Sequence, residues 1–568
     1  MNLLGTGYQP TERLKPLHAL FVVWLVAIAL WPGQWSIPVQ DRDEARYSQA
    51  ATQMMETGDY VDIRFQEQTR YVKPAGIYWM QVATTQAFGG EEAPIGAYRL
   101  PSFIGILLIS LATAMIGGRT VGSAYGALAG GIIGLTILAG AEGRIAKTDA
   151  MLVAAGTFAQ LALFQILVQP KGAPPKEFRG WPLLFWAASG LAVLIKGPIF
   201  TIFSASTIIG YVVFTRDWRA LRRLRPLLGL VVFALVGLTW VALISIQTEG
   251  EFLRESVGHA LLGKVSTGDD SHGGPPGYHL AFLPLMFWPG TALLGLAVVA
   301  AWKRKAEPAV IFLLSWIIPG WIVYEVVATK LPHYVMPAYP AVALLAALGV
   351  KDVVEGSIKA RFGLWIGLVL FALVAVALPV GAYFGVRELG GNPFTPWVIG
   401  VGVSAFSVGL FGLYLLRKPS LSRVTWIALP TVVFYALLAG AAYPKLTPYW
   451  PSHNMWRVAT QLEGCSDPVF VTAGYKEPSN VFYLGTETLL ANSGAEAAEF
   501  LMNNGRCGVA FVEARERESF DARMQGRPVR SLATIRGTNV TKGREMELEL
   551  IVMGTSPLRI GEGTLRRL

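Results

Sequence analysis

Long apolar runs recur from Leu17 to about Tyr443, separated by short polar segments, and then stop. A helix needs roughly 20 apolar residues to cross a bilayer, so the pattern predicts an all-α polytopic membrane protein with a different kind of domain after it. Thirteen spans are expected, near 17–31, 100–117, 121–140, 150–168, 181–196, 198–214, 226–246, 279–301, 308–328, 335–350, 363–386, 396–416 and 424–443. The run at 75–88 is shorter and less pure than the one at 100–117 and is expected at the interface or as a re-entrant segment. The first run follows Arg13 and Lys15 as a secretory signal would, but Pro32-Gly33-Gln34-Trp35 offers no small-residue cleavage site, so it reads as a retained span.

Charge fixes the orientation. Basic clusters at 171–179, 216–225, 303–305, 351–361 and 417–423 alternate with loops poor in Lys and Arg, and the positive-inside rule then places the amino terminus in the cytoplasm and the carboxy terminus outside. That parity gathers four polar segments, 35–98, 143–149, 247–278 and 330–334, on the outer face of the membrane. Residues 1–443 form the membrane domain, with the first outer loop at 35–98.

Residues 444–568 mix polar and apolar positions as no bilayer would hold them and are expected to form a soluble periplasmic α/β domain. Strands are expected at 468–472, 481–484, 508–512 and 547–551, with helical stretches between the first three. Cys465 and Cys507 each precede one of these strands. Outside the cytoplasm they can pair as a disulfide, or sit as two buried thiols at the bases of neighbouring strands.

The chain is 53% hydrophobic and 15% charged, with a net charge of +10 that topology explains, so nucleic-acid binding is not expected. It carries no phosphate-binding glycine loop and no Cys/His cluster with zinc spacing, which argues against ATP as a driver, and no cofactor is required.

Chemistry is therefore expected in the outer loops. Gln40-Asp-Arg-Asp-Glu-Ala-Arg-Tyr-Ser48 packs three acids and two arginines behind the first span. Asp41 and Glu44 have capping-box spacing, so the acids can merely start a helix running to about Glu56. On that helix Asp43, Arg46 and Tyr47 share a face and can handle a nucleophile and a phosphate together. Tyr71 and Lys73 lie where the interfacial run begins, as ligands or as an ordinary Lys/Tyr/Trp anchor. Glu142-Gly-Arg144-Ile-Ala-Lys147-Thr-Asp149 opens the fourth span, where Asp149 is either a site acid or an N-cap. Lys330, His333 and Tyr334 bring a cation, an imidazole and a phenol between two spans. Between 247 and 278, Glu255, His259 and His272 can bind a divalent metal, although their spacing is not diagnostic and Gly273-Gly-Pro-Pro-Gly277 suits a mobile loop. Charge gathered at one face, without repeated halves, favours an enzyme over a lipid transporter.

Taken together, Asp43-Glu-Ala-Arg46, Lys73-Pro with Ile77-Tyr-Trp79, Arg144 with Thr148-Asp149, Lys196-Gly-Pro198 and Lys330-Leu-Pro-His-Tyr334 with Pro337 resemble the polyprenyl-phosphate-sugar-dependent glycosyltransferases of the GT-C superfamily. The superfamily includes relatives of protein O-mannosyltransferases, and the nearest likeness is to its lipid A aminoarabinose transferases. The resemblance implies a thirteen-span fold with a periplasmic carboxy-terminal domain. It implies Asp43 and Asp149 as the acids of the site, and Arg46 and Lys73, with Tyr334, as holders of the donor phosphate. Tyr71, Glu44, Arg144, Lys330 and His333 complete the expected binding set. The implied donor is an undecaprenyl phosphate-linked sugar and the implied acceptor a lipid A phosphate, handled by a monomer among inner membrane lipids. His333 departs from the pattern, since many relatives carry a small or hydroxyl residue before the tyrosine.

Overall fold

The computed structural model describes residues 12–169, 180–255, 273–357 and 361–561. Pro16 at the first turn starts α1 (Pro16–Leu30), where its fixed φ fits and no N–H is missed. Two amphipathic elements follow, α2 (Asp43–Thr57) and α3 (Gly76–Thr85), joined through a short hairpin of β1 (Arg64–Phe65) and β2 (Gln68–Thr69). At about 1.5 Å per residue α3 is roughly 15 Å long, about half a hydrocarbon core, so the 75–88 run does not cross.

The membrane helices continue with α4 (Ile95–Thr120), α5 (Ser123–Gly134), α6 (Ile137–Glu142), α7 (Asp149–Leu167), α8 (Trp181–Lys196) and α9 (Ile199–Thr215). Each of the thirteen expected segments falls on a helix or a broken pair of helices. Among the described residues seven helices are long and apolar enough to cross singly, two pairs qualify only together, and four shorter apolar helices remain. The pairs bend by 49° between Gly237 and Thr239 and by 111° between Met286 and Gly290, so 226–246 and 279–301 are not straight spans. The expected 121–140 span is likewise broken: α5 ends at Gly134 and Thr136 caps α6, its Oγ accepting from the Ala139 N–H at 3.1 Å.

Two close approaches set the frame around α3, α4, α7 and α8. A side chain at Gly105 of α4 would meet the Ala150 carbonyl carbon at 2.9 Å, and one at Gly76 of α3 would meet the Leu194 oxygen at 2.6 Å. Glycine there lets α4 lie against the start of α7 and α3 against the end of α8, which carry Asp149 and Lys196.

The carboxy-terminal unit holds β3 (Leu462–Glu463), β4 (Val469–Ala473), β5 (Leu489–Ala491), β6 (Gly508–Glu513), β7 (Val529–Asn539), β8 (Arg544–Met553) and β9 (Arg559–Ile560). Five of these form one sheet in the order β5-β4-β6-β8-β7, with β4 parallel to β5 and β6, and β8 antiparallel to both its neighbours. Apolar cores cover both faces, one around Phe470, Phe511 and Leu548, the other around Val471, Leu501 and Phe520. Cys465 and Cys507 are joined in a disulfide with a Cα–Cα distance of 5.8 Å.

Three expected strands appear, while Val481–Leu484 instead lies in a helix, Pro478–Leu484. Pro478 fixes the first turn, and the apolar run faces the membrane domain rather than a sheet. Tyr483 Oη receives the Val39 N–H at 2.8 Å, and the Phe482 ring meets Tyr98 edge-on at 5.7 Å. β5 and β7 were not expected, the one too short and the other too mixed in polarity to stand out.

Candidate active site

The expected capping box is not what starts α2. Arg42 occupies the N-cap with φ 66° and ψ −96°, with no side-chain cap. Asp41 turns away to accept hydrogen bonds from Tyr475 Oη, at 2.8 Å, and from Ser479 Oγ. Glu44, expected among the substrate ligands, is fully occupied. Arg99 donates to it from Nε and Nη2, each at 2.8 Å, and the N–H groups of Gln40 and Ala146 donate at 2.8 Å. Both side chains are sealed from solvent, so the pair ties α2 to α4 and leaves no free lone pair for a ligand.

Arg144 is a second correction. Its guanidinium donates to the carbonyls of Pro32, Gly140 and Ala29 at 2.7, 2.7 and 2.6 Å, and it lies 5.1 Å above the Tyr435 ring. Buried and spent on backbone, it braces the loop after α6. Lys330 is buried and gives one N–H to the Val327 carbonyl at 2.7 Å. Tyr71 packs edge-on against Phe252 at 5.5 Å, and burial, then Asp62, push its phenol up to about 12.

What remains gathers in two layers. The upper one is α2's outward face, with Asp43 exposed and Arg46 half-buried, and beside it Arg70, which packs over Tyr47 at 5.3 Å and donates to Tyr78 Oη at 3.2 Å. Burial, then the charge of Arg70, push the Arg46 guanidinium below its ordinary value, with Asp43 opposing. Two arginines at one acid make a field that draws an anion. Lys73 is half-buried in the turn before α3.

The lower layer is a buried charge network. Lys196 Nζ lies 2.6 Å from Asp149 Oδ1, and Lys147 Nζ lies 3.0 Å from Glu142 Oε1 and 3.8 Å from Asp149 Oδ2. His333 bridges the two acids, Nδ1 3.8 Å from Glu142 and Nε2 3.8 Å from Asp149. Burial alone would lower Lys147, yet Glu142 and Asp149 outweigh it and hold the ammonium well above its ordinary range. Two carboxylates thus balance two ammonium groups in a buried cluster. Tyr334 stands at the rim, its ring 5.0 Å from His333 and 5.8 Å from Tyr324. The layers adjoin, since Asp43 contributes to the field at Lys147 and Asp149 to that at Tyr47.

Sequence reasoning missed Arg70, Lys147, Lys196 and Glu142 as members, although each stood in a segment it had singled out. Glu255's side chain, His259 and His272 lie outside the described residues, and among the described residues no His, Cys, Asp and Glu group is arranged to hold a metal.

A family model described as dolichyl-phosphate-mannose-protein mannosyltransferase matches residues 19–253, which include Asp43, Arg46, Lys73, Asp149 and Lys196. An undecaprenyl phosphate-alpha-4-amino-4-deoxy-L-arabinose arabinosyl transferase from Aeromonas salmonicida is 27% identical over 62% of this chain, and that match spans 65% of the relative's length, just under two thirds. A transferase of the same name from Serratia proteamaculans is 25% identical over 81% of this chain and 84% of its own. Among solved structures, ArnT from Cupriavidus metallidurans bound to undecaprenyl phosphate superposes with a TM-score of 0.74 at 19% identity, covering 94% of this chain and 97% of the other. The chain therefore has the ArnT fold, and in sequence it resembles the aminoarabinose transferases of the GT-C superfamily.

Proposed function

We propose that this protein is an integral membrane glycosyltransferase that moves 4-amino-4-deoxy-L-arabinose from undecaprenyl phosphate to a phosphate of lipid A. The observation that carries the reading is one exposed acid, Asp43, sharing a field with Arg46 and Arg70 and adjoining the buried Asp149 network, in a chain similar to transferases of that name. The site faces the periplasm of the inner membrane, and the ammonium added to lipid A would offset its negative charge and confer resistance to polymyxin and other cationic peptides.

Breaking a sugar–phosphate bond needs positive charge aimed where the leaving phosphate becomes more anionic, and in a partly dry cavity each such contact is worth a few kcal/mol. Arg46, Lys73 and Tyr334 hold the donor phosphate in this scheme, with Arg70 adding to the field. The acceptor phosphate is already anionic near neutral pH and needs little base, so Asp43 orients it, takes a residual proton or pairs with the sugar ammonium. Asp149, fixed by Lys196, keeps the floor of the site charged and rigid.

The match to a protein-mannosyltransferase family favours, as a second reading, transfer to a hydroxyl, which would ask more of Asp43 as a base. Mass spectrometry of lipid A from a transferase-deficient Gram-negative strain expressing this chain separates the two. A gain of one aminopentose, lost in Asp43→Ala, supports the first; unchanged lipid A with good membrane expression refutes it.

A further inference from the structure

Between the first outer loop and the carboxy-terminal domain lies a cavity of about 310 Å³ whose lining includes Asp41, Arg42, Tyr449, His453, Ser479 and Thr541. This size is at the small end of ligand sites, the scale of one phosphorylated sugar. Three observations distinguish it from a packing gap. Arg42 holds a positive φ of 66° that arginine rarely adopts, and such strain persists where the surroundings impose it, often at ligand clamps. His453 stacks on Trp456 at 5.3 Å while its Nδ1 is buried with no hydrogen-bond partner among the described residues. The wall is also rigidly built. Ser452 Oγ lies 2.6 Å from Ser479 Oγ and 2.7 Å from Asn480 Oδ1, and both Asp41 oxygens are pinned by Tyr475 and Ser479.

We infer that this cavity binds a phosphorylated sugar headgroup. Arg42 meets the phosphate, while His453 and Thr541 meet ring hydroxyls against the Tyr449 face. Arg42 immediately precedes Asp43, so a headgroup held here stands one residue from the proposed catalytic acid. It is then the acceptor lipid that the cavity recognises, and this last step rests on the transfer reading above, whereas the binding site does not. Glu477, buried beside Arg42 and Arg46, links the cavity wall to the donor side.

The test uses the full chain in nanodiscs, with glucosamine 1-phosphate as the probe, read by saturation-transfer NMR. Arg42→Gly removes the guanidinium while keeping the positive φ free of strain, and Arg42→Asn does the same should the glycine variant melt early. Wild type is expected to bind the sugar phosphate. Arg42→Gly should bind at least tenfold more weakly, and Thr541→Val should also weaken binding. In the transfer assay Arg42→Gly should raise the acceptor KM about tenfold with undecaprenyl phosphate binding unchanged. No binding by wild type, or binding by both Arg42 variants as tight as that of wild type, overturns the site. Inorganic phosphate competing as well as the sugar phosphate overturns the sugar part. Arg42-dependent binding without any transfer to lipid A upholds the site and removes only its assignment to the acceptor.

Discussion

The Glu44–Arg99 pair makes the sharpest prediction, because its neighbour Asp43 is supposed to matter for the opposite reason. All four hydrogen bonds to Glu44 come from N–H donors, two from Arg99 and one each from Gln40 and Ala146. In Glu44→Gln the new amide nitrogen replaces an oxygen that accepts two of those bonds, one from Arg99 and one from a backbone N–H, leaving both donors without an acceptor beside a buried, unneutralised guanidinium. Breaking one side of a sealed ion pair costs about 3–5 kcal/mol. A loss of about 3 kcal/mol is roughly a hundredfold in the folded-to-unfolded ratio. Arg99→Met should cost at least as much, since Arg99 also donates to the carbonyls of Gln34, Ile37 and Pro38 at 3.0, 2.7 and 2.9 Å. The double variant Glu44→Leu with Arg99→Leu removes the stranded charge but leaves those carbonyls open, so it should recover only part of the loss. Apparent melting midpoints in detergent give the ranking, and undecaprenyl phosphate binding per folded molecule should stay near wild type. If Glu44→Gln melts as wild type yet loses transfer, Glu44 belongs to the chemistry and the structural argument fails.

Asp43→Ala should do the reverse, changing stability by no more than about 0.5 kcal/mol because the side chain is exposed, while transfer falls by about 10² or more; an active variant in the lipid A assay ends the catalytic reading. Reducing the Cys465–Cys507 disulfide, or replacing both cysteines by serine, reopens a 42-residue separation and should cost the carboxy-terminal domain about 2–4 kcal/mol, so equal resistance to proteolysis with and without reductant would count against it. Burial raises the Asp41 carboxyl above its ordinary 3.8, with Ser479, Tyr475 and Arg42 opposing and Glu477 nearby. A raised acid favours the fold below its ordinary value and loses that contribution as pH climbs through the folded-state value, so Asp41→Asn should gain on wild type as pH rises above about 4; melting curves that stay parallel from there upward would refute the assignment.

The apolar runs were legible because hydrophobicity is a local property of each segment. Where they break was not. Between α5 and α6 the Ile137 N–H reaches the Trp288 carbonyl at 2.9 Å, and Tyr435 Oη lies 3.0 and 2.8 Å from the carbonyl oxygens of Leu135 and Thr136. Backbone freed inside a membrane is tolerated only where other parts of the protein satisfy it. Here one break is completed by the other, at 286–290, and by a tyrosine about three hundred positions downstream. Neither contact leaves a trace in residues 134–137. The docking of Thr486 and Thr488, just after the helix Pro478–Leu484, on α2 and the β1–β2 turn is hidden in the same way: Gln66 Nε2 donates to the carbonyls of Thr486 and Thr488, and Gln49 Nε2 to Thr486 Oγ1, through side chains that read as ordinary polar positions.

The candidate site divides along the same line. The cluster Asp43-Glu44-Ala45-Arg46 was conspicuous as charge at a bilayer face, but adjacent residues on a helix point about 100° apart, so its two acids could not share a fate. Which acid would face outward depended on what α2 packs against. Arg99, at the start of the second long apolar run, takes the Glu44 side, and that leaves Asp43 with Arg46, Arg70 and Lys147. A buried arginine at the edge of a run read only as a bilayer span is itself costly, and its partner must be sought among the charges of the neighbouring loop. Among the acids of that loop, Asp41, Asp43 and Glu44 cluster at the start of α2, and the choice among these three turns on helical phase: only the acid on the face that also buries Ala45, Ser48 and Thr52 can reach α4. Glu44 meets that condition and Asp43 does not, so the separation of a structural acid from a reactive one follows from a single buried cation and the phase of α2.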